Sequence, residues 1–80
     1  PSMVTSKVIY MDNTTIYTAR IRATYTGNVI FYLSADNGSH WELATVDDIH
    51  TFTTTGTELK WKAIGSYPAQ LSVMKVEYNV

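Results

Sequence analysis

Polar and apolar residues alternate with period two along most of the chain. From Thr14 to Thr26, Tyr17, Ala19, Ile21, Ala23 and Tyr25 fall on one side and Thr18, Arg20, Arg22 and Thr24 on the other. That spacing predicts a strand with one buried face, here the tyrosine side. Asn28 to Ala35 repeats it with Val29, Phe31 and Leu33 inward, and His40 to Thr45 with Trp41 and Leu43 inward against His40, Glu42 and Ala44. Ile49 to Thr54 is a Thr-rich strand carrying Phe52. Glu58 to Ile64 alternates Leu59, Trp61 and Ala63 against Glu58, Lys60 and Lys62, and Gln70 to Val80 alternates Met74, Val76 and Tyr78 against Lys75, Glu77 and Asn79. Val4 to Met11 supplies a strand at the other end.

Turn residues punctuate these runs at Met11-Asp12-Asn13, Gly27-Asn28, Asn37-Gly38, Asp47-Asp48, Thr55-Gly56-Thr57 and Gly65-Ser66-Tyr67-Pro68. Asn37-Gly38 is the strongest of them, because both residues accept φ > 0 and apolar alternation flanks them, so a β-hairpin is expected there. No segment places apolar residues at helical spacing. About seven short strands with turn signals every 8–12 residues predict an all-β fold: a small antiparallel β-sandwich or flattened barrel with almost no helix.

Eighty residues form one domain, 1–80, near the lower end of what a single core supports. Six basic residues against seven acidic ones, net charge −1, offer no electrostatic footprint for nucleic acid or anionic lipid. No run reaches the roughly 20 apolar residues of a membrane span, so no membrane insertion is expected. Cysteine is absent, which removes a disulfide scaffold, a zinc knuckle and a thiol nucleophile. The start at Pro1-Ser2-Met3 suggests a processed product or a module of a longer or multi-subunit protein. The twelve threonines suit solvated strand faces.

Ser34-x-Asp36-x-Gly38-x-His40-Trp41 resembles the Asp-box, whose pattern runs Ser/Thr-x-Asp-x-Gly-x-Thr/Ser-Trp/Phe and which recurs in sialidases and unrelated β proteins; His40 departs from it. The resemblance implies a structural hairpin in which Asp36 caps turn amides, Gly38 supplies backbone freedom and Trp41 enters the core. A looser likeness runs from Asn28 through Trp41 and Phe52 to Gly56-Thr57-Glu58-Leu59-Lys60-Trp61-Lys62-Ala63. That stretch is similar to small β-sandwich modules of phage tail, fibre and baseplate proteins and of bacterial surface proteins. It implies a non-catalytic structural or adhesive module, located in a virion or at a cell surface. Isolated edge strands and a small core favour other protein subunits as partners, with homo-oligomers expected.

Phe31, Trp41, Phe52 and Trp61 are the expected core aromatics, since large rings on inward positions organise a small core. A carbohydrate-binding module is the alternative function, and its candidate glycan contacts are the outward or loop tyrosines Tyr10, Tyr32 and Tyr67. His40 and His50 stand at no metal-ligand spacing. Asp36 and Glu42 flank one hairpin without the cleft that a glycosidase pair needs. No catalytic residue, metal site or cofactor is therefore assigned. Arg20 with Arg22, and Lys60 with Lys62, are expected to meet carboxylates across the sheet.

Overall fold

The described residues form six strands: β1 (Ser2–Thr5), β2 (Tyr10–Thr26), β3 (Val29–Ser34), β4 (Glu42–Ala44), β5 (Ile49–Gly65) and β6 (Gln70–Asn79). The computed structural model describes residues 2–6 and 8–79, and among these there is no helix. Every strand pairing is antiparallel. The sheet order is β4-β3-β5-β2-β6, with β1 also beside β5. The expected all-β antiparallel class is the one the chain adopts.

Strand number and boundaries differ from the sequence reading. Thr55-Gly56-Thr57 does not end a strand, because β5 continues through it, and Met11-Asp12-Asn13 lies inside β2. The stretch from Val4 to Met11 is split: β1 stops at Thr5, Tyr10 and Met11 open β2, and Lys7 lies outside the described residues. Val80, read as the end of the last strand, also lies outside them. The turns at Gly27-Asn28, Asp47-Asp48 and Gly65 to Pro68 fall where expected.

Length forces β5 to bend. Seventeen residues in straight extension would span about 56 Å; the longest dimension of the molecule is 39 Å. Ile49 to Leu59 pairs with β2, which pairs in turn with β6, and this is the back half of the sheet. Lys60 to Gly65 pairs with β3 on one side and β1 on the other, and β3 carries β4; this is the front half. The ladder between β2 and β5 slips twice at the bend. Between the pairs Thr18↔Thr51 and Ile16↔Gly56 only Tyr17 intervenes on β2, against Thr53 and its neighbours 52, 54 and 55 on β5. Between Ile16↔Gly56 and Met11↔Glu58 the excess passes to β2, and the two slips cancel.

These slips set which side chains reach the core. Ile16 is fully buried and Tyr17 is 59 % exposed, because the irregularity beside Ile16 shifts the inward phase of β2 by one residue. Ala19 and Ile21 keep their expected burial. Phe31, Leu33, Phe52, Leu59 and Ala63 join them in one apolar cluster, with Trp61, Met74 and Val76 packed against it half-buried. Leu43 and Ala44 reverse the expected order: Leu43 stands opposite Tyr32 and points out, while Ala44 stands opposite Phe31 and is buried.

Gly56 sits where the bend meets the β3–β4 loop. A Cβ built on it would lie 2.2 Å from the carbonyl oxygen of Ala35, which itself accepts the Glu58 amide at 3.0 Å. Gly56→Ala must therefore push the loop off β5, at a cost of about 2–3 kcal/mol. Urea denaturation should show the midpoint falling by that equivalent; an unchanged midpoint would contradict this account of the corner.

Candidate functional site

The chemistry-bearing side chains concentrate around the loop that joins β3 to β4. Ser34 closes β3 and is buried; its hydroxyl donates to Asp36 Oδ1 at 2.8 Å and accepts the amides of Gly38 at 2.8 Å and Asp36 at 3.3 Å. Asp36 Oδ1 also accepts the His40 amide at 2.9 Å, and its Oδ2 lies 2.5 Å from His40 Nδ1. Asn37 and Gly38 both take positive φ, 61° and 86°, as the Asn-Gly pair demands. The loop then docks on β5, with the Asn37 amide donating to the Glu58 carbonyl at 2.9 Å.

Trp41 does not enter the core. The loop runs past the two residues of a minimal hairpin, β4 begins at Glu42, and the indole comes to rest half-buried on the outer face of the front half. There the Lys62 ammonium lies 4.4 Å from the Trp41 ring centroid and 4.9 Å from that of Tyr32. One cation between two aromatic faces is attracted by both quadrupoles. Lys60 and Lys62 were expected to meet carboxylates, but among the described residues neither forms an ion pair, and the β3–β5 register puts Lys62 across from Tyr32 instead.

Glu42 points inward opposite Leu33 and reaches the bend of β5. Its carboxylate accepts the amides of Thr53 at 2.9 Å and Thr54 at 2.8 Å, and His50 Nε2 lies 2.8 Å from Oε1. Thr53 and Thr54 fall in the stretch of β5 that the slipped ladder leaves without β2 partners, so Glu42 replaces the missing strand. Burial pushes the Glu42 carboxyl up, but the two amides and His50 outweigh it and hold the group below the ordinary 4.5. Burial likewise pushes Asp36 up, and the His40 ring, the His40 amide and the Ser34 hydroxyl bring it below 3.8. Both carboxylates are thus held ionised by donors of this same chain, whereas a general acid is tuned the other way.

The remaining predicted residues are spread over the fold. Tyr10 is half-buried against the core, its ring centroid 4.4 Å from that of Tyr78. Tyr32 lies on the outer face of β3, and Tyr67 is 98 % exposed in the β5–β6 loop, where the Tyr67-Pro68 peptide is cis. Beside Tyr67 a groove of about 200 Å³ is lined by Val29, Ala63, Ser66, Ala69 and Gln70 among others, none of them charged. Arg20 meets Glu77 at 2.9 Å and Arg22 meets Asp47 at 3.1 Å, as expected of outward basic residues. Among the described residues no group of three or more His, Cys, Asp or Glu side chains converges as a metal site would require.

Compared with family models, curated proteins and solved structures, the chain matches none of them.

A carboxyl whose folded-state pKa is depressed stabilises the fold above its unfolded value, and that contribution is lost as pH falls through the folded value. The stability difference between the native chain and Glu42→Gln should therefore be largest at neutral pH and shrink below the ordinary 4.5. Urea titrations at a series of pH values measure it; a difference independent of pH would remove the ionised Glu42 from the account.

Proposed function

We propose that this chain is a non-catalytic structural module of a larger protein assembly, of virion or cell-surface type, that works by packing against neighbouring subunits. One observation carries the reading. On the outer face of the front half, Met3, Ile64 and Ile30 stand side by side on β1, β5 and β3. Met3 is 64 % and Ile30 49 % exposed, and Leu43, 64 % exposed, extends the patch beside Tyr32 on β4. A continuous apolar surface across four strands, on a chain this small, supports burial against another protein. The Lys62 ammonium over Tyr32 and Trp41 supports the same choice, since it covers ring faces that a sugar would stack on.

Light scattering tests it. The native chain should form species larger than a dimer, and Ile30→Lys combined with Leu43→Lys should reduce the assembly while the thermal midpoint changes by only a few degrees. A native chain that stays monomeric, or an assembly indifferent to both lysines, would defeat the reading.

The fully exposed Tyr67 beside its uncharged groove supports a second reading, a carbohydrate-binding module. The neutral hydroxyl and amide of Ser66 and Gln70 suit a neutral sugar, and the tyrosine offers an unobstructed ring. Binding on a glycan array, abolished in Tyr67→Ala with an unchanged circular dichroism spectrum, is the expected outcome on that reading; an array blank for the native chain rejects it.

A further inference from the structure

β6 is a long free edge of the sheet. It ends the strand order and pairs, among the described residues, with β2 alone. β4, at the other end of the order, has three residues and β1 four, against ten in β6. Natural sheets protect such an edge with proline, bulges or several lysines. From Val73 to Asn79 there is no proline and one lysine, and the single slip against β2 lies before this stretch.

The charges on this edge are complementary to themselves. Val73, Lys75, Glu77 and Asn79 share the outer face, and Met74, Val76 and Tyr78 the inner one. An antiparallel copy centred on Val76 places Lys75 opposite Glu77 of the second copy and Glu77 opposite its Lys75. It also sets Met74 opposite Tyr78, so the apolar side continues across the junction. Centring on Lys75 or Glu77 instead opposes like charges, and a shift by one residue turns apolar side chains against charged ones.

Lys75 also has no counter-charge among the described residues. It stands across the ladder from Arg22, a destabilising like-charge neighbour, while Arg22 and Arg20 are both engaged by Glu77. Among the described residues Lys75 forms no ion pair.

We infer that β6 is a self-recognition edge, through which two copies of this chain join their sheets about a two-fold axis at Val76. The inference rests on the reading of the chain as a subunit-packing module and names one of its partners, a second copy of itself. It uses the opposite end of the sheet order from β4, so the two surfaces are separable by mutation.

The test takes Ile30→Lys with Leu43→Lys as background, so that association through the apolar face is suppressed. Sedimentation equilibrium should give twice the chain mass of 9.0 kDa. Adding Lys75→Glu, or separately Glu77→Lys, should weaken the dimer about tenfold or more, since two symmetric attractions become repulsions. An equimolar mixture of the two charge variants should recover the native affinity as a heterodimer. Lys75→Glu gives the folded monomer a carboxylate opposite Arg22, so its thermal midpoint should not fall, which separates lost pairing from lost folding. A background protein that sediments at 9.0 kDa up to its solubility limit overturns the inference. So does a dimer that neither charge change weakens. An assembly of the native chain that ignores Ile30→Lys and Leu43→Lys overturns the apolar-face reading instead, and leaves the charge exchange to decide β6.

Discussion

The bend shared by β2 and β5 is the constraint on which the rest of the structure depends. Both strands are too long for the molecule if straight, and the ladder between them slips in one direction and then back at Ile16 and Gly56. A slip frees backbone amides, and a freed amide away from water is costly unless something accepts it. Glu42 does so for Thr53 and Thr54. A side chain from the edge of the front half thereby fastens the corner of the strand that the two halves have in common.

The β3–β4 loop closes the same corner from outside. Ser34 and Asp36 satisfy the loop amides internally, which stiffens it, and Asn37 and Ala35 join it to Glu58 by backbone bonds that only glycine at position 56 leaves room for. The sequence elements that look most like a binding loop are consumed in holding the fold. Apolar surface on the front half and the β6 edge stay open, as does the uncharged groove beside Tyr67, and the association proposed above draws on the first two.

Much of the architecture was legible from periodicity. Phe31, Leu33, Phe52, Leu59 and Ala63 are buried where alternation puts them, and the Asn37-Gly38 turn has the backbone its residue types demand. Alternation failed wherever register, a relation between distant segments, sets the phase. The slip beside Ile16 turned Tyr17 outward, and pairing of Leu33 with Glu42 turned Leu43 outward and Ala44 inward. Trp41 was misplaced because the loop length that decides its side is not encoded in the Asn-Gly pair alone. Of the loop's chemistry, Ser34, Asp36 and Gly38 were readable as a local motif. Glu42 with Thr53 and Thr54, and Lys62 with Tyr32 and Trp41, join residues brought close only by the completed sheet.

Because β5 serves both halves of the sheet and comes late in the chain, the order of synthesis constrains the order of folding. When only residues through β4 have left a ribosome, β1 lacks β5 and β2 lacks both β5 and β6, so that among the described residues the β3–β4 hairpin is the strand pairing that can form. Long-range antiparallel pairing is intrinsically slow. Until β5 has been translated, β1 and β2 therefore stay without the strand they share, and their polar backbone edges remain open to competing contacts.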